Sequence, residues 1–140
     1  MKSTLPWLRI LWITFVLALP GVILYAYFPK IFACPACYLF EDGGDGLKNY
    51  YTLDYYVKHD SGWHFSGMNY PYGENIIYTD NQPILALTLQ WIDRHVTDID
   101  RHIIGTLNML MLLSIYFAVL IIYKLLRRWS VGRWWACSRR

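Results

Sequence analysis

Charged residues are scarce in this chain, and acidic residues are missing from both of its ends. Only 16% of the 140 residues are charged and 56% are hydrophobic, an unusual balance for a water-soluble domain. No Asp or Glu precedes Glu41 or follows Asp100, and most basic residues lie near the two ends of the chain: Lys2, Arg9, Lys124, Arg127, Arg128, Arg133, Arg139 and Arg140. This sorting of charge is typical of a chain threaded through a membrane. Since no basic stripe interleaves with aromatics, the pattern argues against nucleic acid as a partner.

Cysteine is also rare, with three in the chain, which limits the chemistry that thiols can supply. Cys34 and Cys37 form a Cys-x-x-Cys motif without the βαβ context of a thioredoxin-like site. Tyr38 stands where covalent haem attachment needs a His, and a four-ligand zinc site would need His59 or His64 as well. A structural disulfide or two inert thiols is the favoured interpretation, and a thiol–disulfide membrane protein is an alternative. We predict no metal site from this motif.

Two apolar runs are long enough to cross a bilayer. The first covers residues 10–28 and carries no charge, close to the roughly 20 residues that a ~30 Å hydrocarbon core requires. Pro20 and Gly21 interrupt it, which a membrane helix tolerates and which predicts a kink. A signal peptide is the alternative, but Ala18-Leu19-Pro20 is a poor cleavage site and the apolar run continues beyond it.

The second apolar run covers residues 103–126 and is closed by Lys124, Arg127 and Arg128. Because basic residues lie outside both runs, we expect both termini in the cytoplasm and the intervening loop outside it, in a bacterial inner membrane. The predicted fold is an all-α membrane protein. Its segments are a cytoplasmic tail (1–9), a transmembrane helix (10–28), an extracytoplasmic loop (29–102), a second transmembrane helix (103–126) and a basic cytoplasmic tail (127–140).

The loop contains enough apolar surface to fold, and we predict it to be helical or irregular with two short helices. The first is predicted near 46–57, with Asp45 as its cap and one apolar face: Tyr50, Leu53 and Val57. The second is predicted near 83–97, because Pro83 suits a first helical position. Its apolar stripe is expected at Leu85, Leu89, Ile92, Val96 and Ile99.

Two stretches of the loop offer side chains for chemistry. Asp42 and Asp45 could supply a general base, or oxygen ligands for a divalent cation such as Mg²⁺ or Mn²⁺. The alternative is that these residues only form turns and caps. The second stretch, residues 69–83, presents Tyr70, Tyr72 and Tyr78, whose flat faces and hydroxyls suit sugars and amphipathic lipids. Asp80 is either a further acidic ligand or a cap for the helix at Pro83.

The end of the chain is rich in aromatic residues. After Arg128 the sequence reads Trp129-Ser130-Val131-Gly132-Arg133-Trp134-Trp135-Ala136, which resembles a short turn followed by the start of another span. We therefore expect the chain to be the first part of a longer multi-span protein and larger helical bundle. The alternative is a two-span protein with a basic tail.

The loop motifs resemble those of a known class of membrane enzymes. The runs Asp45-Gly46-Leu47-Lys48-Asn49-Tyr50-Tyr51-Thr52 and Tyr70-Pro71-Tyr72-Gly73-Glu74-Asn75-Ile76-Ile77-Tyr78-Thr79-Asp80-Asn81-Gln82-Pro83 look like the acidic motif and outer-loop signature of bacterial multi-span proteins related to the GT-C glycosyltransferases. The resemblance covers roughly residues 5–126 and corresponds to the N-terminal portion of such a protein. The later spans, which would form the lipid-donor groove, have no counterpart in it.

The resemblance implies a function in cell-envelope assembly. GT-C enzymes move a sugar from a polyprenyl-phosphate donor to an acceptor outside the cytoplasm, and their first outer loop supplies a catalytic carboxylate. Asp45 matches that position best and Asp42 is the alternative, while Lys48 would lie near the leaving phosphate. The portion seen here would be inactive without further spans. The rival interpretation is a non-enzymatic two-span membrane protein whose Tyr-rich loop binds a partner.

Overall fold

A computed structural model describes residues 6–41, 43–79 and 82–129, apart from the side chains of Pro6 and Arg9. The described part is mostly helical. Its α-helices are α1 (Pro6–Tyr27), α2 (Pro29–Ala33), α3 (Gly44–His59), α4 (Pro83–His95) and α5 (Ile103–Trp129). Two antiparallel strands, β1 (His64–Phe65) and β2 (Glu74–Asn75), and short 3-10 turns at Ile76–Tyr78 and Asp100–His102 complete it.

Helices α1 and α5 are long and apolar enough to cross a membrane. Their candidate spans are Ile10–Tyr27 and Asp100–Trp129, and in an apolar 18-residue window of each span only 11% and 6% of the residues are buried inside the protein. The core helix of a soluble domain would be mostly buried, so the exposed Leu, Ile, Phe and Trp side chains of these helices suggest a membrane location. Pro20 lies within α1 and does not end it.

The chain divides into two compact units. The membrane unit contains α1 and the part of α5 that begins at Leu110, and the loop unit contains Lys30–Met109. Within the membrane unit, Trp12 Nε1 donates to the Tyr123 hydroxyl at 3.0 Å, and the Tyr116 hydroxyl donates to the Leu17 carbonyl at 2.9 Å. These bonds fix the side of α1 that faces α5.

The core of the loop unit lies where α3 packs on α4. The predicted face of α3 is buried, with Tyr50, Leu53 and Val57 at most 4% exposed. The helix extends two residues beyond the predicted 46–57 at each end. Phe65 from β1 and Ile76 from the following turn are fully buried, so the small hairpin contributes to the same core.

The predicted stripe on α4 is wrong in part. Leu89 is buried, but the other buried residues of α4 are Ala86 and Gln90, and Val96 is 64% exposed beyond the helix end at His95. The reason is that Gln90 donates to main-chain carbonyls at the end of α3. Hydrogen bonding therefore rotates α4 away from the orientation that apolar spacing alone would favour.

The segment between α3 and α4 forms a tight hairpin, which departs from an all-α fold by two strands of two residues each. His64 pairs with Asn75 and Phe65 with Glu74. The connecting turn has a cis Tyr70–Pro71 bond and places Gly73 at φ 66°. A Cβ at Gly73 would lie 2.8 Å from the Phe65 carbonyl oxygen, so the close approach of the two strands requires glycine there.

Candidate functional site

The carboxylate at Asp45 is exposed in the first turn of α3. The predicted capping role is wrong, because the N-cap residue is Gly43 and makes no side-chain capping bond. The exposed main-chain N–H groups of a helix start favour a negative charge close to them. Asp45 therefore lies in the first turn of a 16-residue helix, with its carboxylate exposed.

Glu41 lies against the same turn of α3. A Cβ at Gly46 would collide with the Glu41 carboxylate and lie 2.7 Å from the Glu41 Cβ. Because Gly46 has no side chain, the Glu41 side chain can pack against the start of α3, one residue after Asp45. Sequence reasoning missed Glu41, although its position just before Asp42 was a signal.

The other residues predicted for catalysis are only partly placed by the structure. Lys48 lies three residues after Asp45 in α3 and is half-buried, a spacing that puts both residues on one side of a helix. Asp42 and Asp80 fall outside the described residues. The first candidate site is therefore the start of α3, with Asp45 and Lys48 as its described members.

The three predicted tyrosines are the strongly exposed part of the hairpin. Tyr70, Tyr72 and Tyr78 are 93%, 86% and 79% exposed. Such surfaces can bind the face of a sugar or an amphipathic lipid. Tyr70 and Tyr72 lie in the turn between β1 and β2, and Tyr78 lies in the 3-10 turn that follows β2.

A buried polar network joins α3, α4 and the hairpin around Asp60, which is 7% exposed. The Asp60 carboxylate accepts from the Ser66 amide at 2.8 Å and the Ser66 hydroxyl at 2.6 Å. Its main-chain carbonyl accepts from Gln90 Nε2 and Arg94 Nη2, both at 2.6 Å. The guanidinium and the amide thereby satisfy carbonyls that the end of α3 would leave unpaired.

Tyr56 completes this network from within α3. Its hydroxyl donates to the Gly62 carbonyl at 2.5 Å. Burial raises the pKa of Tyr56 above its usual 10.0, and nearby Asp60 raises it further, whereas Arg94 and the hydrogen bond to Gln90 lower it. These hydrogen bonds hold the end of α3 against α4 and the hairpin, so we assign a structural role to these residues.

Asn108 is a second buried polar centre and is fully buried in α5. Its Nδ2 donates to the Pro35 carbonyl at 2.7 Å and the Tyr38 carbonyl at 2.6 Å, and its Oδ1 accepts from the Tyr50 hydroxyl. One amide thus ties α5, α3 and the segment after α2 together. Sequence reasoning missed it, although it is the single Asn or Gln in the apolar run 103–126.

The Cys34–Cys37 pair lies in that same segment. The two sulfurs are joined in a disulfide with a Cα–Cα distance of 5.4 Å. Gly105 of α5 permits the close approach, because a Cβ there would lie 3.3 Å from the Ala36 nitrogen. The disulfide and Asn108 therefore hold the same short segment against α5.

Neither histidine considered as a zinc ligand takes part in a described metal-ligand group. The His59 ring packs on Tyr55 with ring centres 4.8 Å apart, and His64 lies in β1.

Three carboxylates lie close together after α4: oxygens of Asp93, Asp98 and Asp100 come within 4.8 Å of one another. Main-chain N–H groups donate to two of these carboxylates, as in ordinary turns. Among the described residues, this group does not include Asp45.

The sequence profile of a protein family described as a domain of unknown function (DUF6311) matches residues 12–138. No curated protein and no solved structure matches the chain. The match extends over both candidate spans and the whole loop unit.

Proposed function

The chain belongs to the DUF6311 family, and from that premise we propose that it is the first part of a GT-C-type membrane glycosyltransferase. This enzyme would move a sugar from a polyprenyl-phosphate donor to an acceptor outside the cytoplasm. In such enzymes later spans form the donor groove, so the proposal concerns this chain acting with further spans. The resemblance of the two loop motifs to that class supports it.

One structural observation carries the proposal. In the sequence, a folded loop unit separates two helices that could cross a membrane. The carboxylate of Asp45 is exposed in the first turn of α3 within this unit. An extracytoplasmic transferase needs a carboxylate that a substrate can reach and that does not move with a flexible loop. The start of α3 meets both requirements.

In the proposed reaction Asp45 acts as general base. Its carboxylate accepts the proton of the acceptor hydroxyl while that oxygen bonds to the anomeric carbon of the sugar. The bond from this carbon to the phosphate oxygen breaks, the lipid phosphate leaves with the electron pair, and the anomeric configuration inverts. Lys48 contributes a point charge towards the leaving phosphate. Proton transfer of this kind accelerates reactions by about 10²–10⁴-fold.

The test is Asp45→Asn in the protein that includes the further spans. We expect sugar transfer to fall by about 10²–10⁴-fold, because an amide cannot accept the proton. Asp54→Asn is the matched control, since Asp54 lies on the same helix but pairs with Lys58 at 2.7 Å. Unchanged transfer in Asp45→Asn, or an equal loss in both variants, would remove Asp45 from the reaction.

A second candidate function is non-enzymatic binding of a partner protein by the hairpin. The observation that favours it is the exposure of Tyr70, Tyr72 and Tyr78, since tyrosine is enriched where proteins meet. A photo-reactive residue at Tyr72 distinguishes the two functions. A single protein adduct in intact cells supports this second function, whereas adducts to glycolipid support the first.

A further inference from the structure

A groove runs between α1 and α5 inside the membrane unit and encloses about 410 Å³. Side chains of Trp12, Ile13 and Leu17 line it from α1, and Phe117 and Ile121 line it from α5. All five are between 45% and 57% exposed. The groove is therefore apolar and open along two candidate membrane helices.

Two cationic side chains lie at one end of this groove. Lys124 and Arg127 belong to its lining and follow Leu120 at spacings that keep all three on one face of α5. From Phe117 to Lys124 the helix rises about 10 Å, so the apolar walls continue for about that length before the charges begin. A ligand that fits both parts has an apolar chain and an anionic head.

A hydroxyl lies beside the two cations. The Tyr123 hydroxyl accepts a hydrogen bond from Trp12 Nε1 at 3.0 Å, which leaves its own hydrogen available to an acceptor. The end of the groove thus offers two positive charges and a positioned donor, the set that a phosphate group binds well.

The charge of this site must be balanced from outside the unit. No Asp or Glu occurs before Glu41 or after Asp100, so neither wall of the groove can supply a carboxylate. A second copy of the unit, packed in parallel, would bring further cations to the same level and would be repelled. An uncharged helix would offer no opposite charge to Lys124 and Arg127, whereas an anionic headgroup would.

We propose that this groove is a binding site for one anionic phospholipid, with an acyl chain between α1 and α5 and the phosphate at Lys124, Arg127 and Tyr123. Basic pockets between membrane helices commonly bind anionic headgroups. The site uses none of the residues assigned to sugar transfer. It would hold a structural lipid in the leaflet that carries the basic end of α5.

The test measures lipid retained by the full chain after reconstitution in nanodiscs containing equal amounts of phosphatidylglycerol and phosphatidylcholine. Native mass spectrometry of the protein, released into mild detergent, counts each lipid. We expect wild-type protein to retain phosphatidylglycerol preferentially, and the double variant Lys124→Gln/Arg127→Gln to bind it roughly 30-fold more weakly. Arg128→Gln is the matched control, because Arg128 is a neighbouring cation outside the lining.

A second pair of variants tests the chain-binding part without changing charge. Ile121→Trp fills the groove and should abolish retention, whereas Ile122→Trp, at a similarly exposed position outside the lining, should preserve it. Equal retention of both lipids by wild type, or an equal loss in Arg128→Gln, would overturn the proposal. So would a wild-type chain that retains no lipid, together with an Ile121→Cys variant that cross-links to a second copy of the chain.

Discussion

A single buried amide, Asn108, joins three segments of the loop unit that are far apart in sequence. It is fully buried, and its donors meet two carbonyls of the segment that also contains the disulfide. Buried carbonyls without partners are costly, so this residue decides whether that segment can stay against α5.

We expect Asn108→Ala to lower the free energy of unfolding by about 3 kcal/mol. The substitution removes the hydrogen-bond partner of the Pro35 carbonyl, the Tyr38 carbonyl and the Tyr50 hydroxyl. Chemical unfolding of the full chain in detergent measures the change. Met109→Ala is the control, since Met109 is the next residue of α5 and is 40% exposed. A similar loss in the two variants would contradict the role given to the amide.

Tyr56 gives the loop unit a pH dependence whose sign follows from its burial. Because its pKa is raised above 10.0 in the folded protein, the unfolded chain loses the phenol proton first. This contribution to stability is full below about pH 10 and is lost as pH rises towards the folded pKa. We expect the thermal unfolding temperature to fall less steeply above pH 10 in Tyr56→Phe than in wild type. Parallel pH profiles would show that Tyr56 contributes no such linkage.

At the level of elements, Gly73 lets the two strands of the hairpin approach each other closely. Gly62 and Gly73 both adopt positive φ, 63° and 66°, but only at Gly73 would a Cβ meet neighbouring atoms of β1. We expect Gly62→Ala to cost roughly 1–2 kcal/mol from backbone conformation. Gly73→Ala should cost a further 1–3 kcal/mol or so from overpacking. Denaturant titrations of both variants compare them directly, and equal losses would refute the packing argument.

The helices of the loop unit differ in how far local sequence specifies them. The spacing of Tyr50, Leu53 and Val57 predicts the buried face of α3, and even the hydrogen bond from the Tyr50 hydroxyl to Asn108 lies on that face. In α4 the spacing misleads, since Gln90 and Arg94 turn towards the carbonyls at the end of α3. A local pattern cannot include a partner from 30 residues earlier in the chain.

At the scale of the whole molecule, the charge pattern predicts an orientation that labelling can test. In a Cys137→Ser background, Cys34 and Cys37 should not react with a maleimide while they form a disulfide. We expect Tyr70→Cys, at a position that is 93% exposed, to react with a membrane-impermeant maleimide in intact cells. Ser130→Cys should react only after permeabilisation, because the basic tail is predicted to be cytoplasmic.

The background protein alone serves as the control for this experiment, and it should stay unlabelled until a reductant opens the disulfide. The reverse pattern, with Ser130→Cys labelled first, would place the loop unit in the cytoplasm. A loop in that compartment would contradict the predicted topology and would remove the basis for sugar transfer from an extracytoplasmic site.

Composition and local spacing were enough to predict the two long apolar helices, the sorting of charge around them and the apolar face of α3. The bilayer thickness sets the length of an apolar helix, and burial of apolar side chains sets their spacing along α3. The fold was needed to identify the partners of Asn108, Gln90 and Asp60 and the two cations at the end of the groove. Each of these features joins residues that are distant in sequence. Their hydrogen bonds and charge interactions form only after folding brings the residues together.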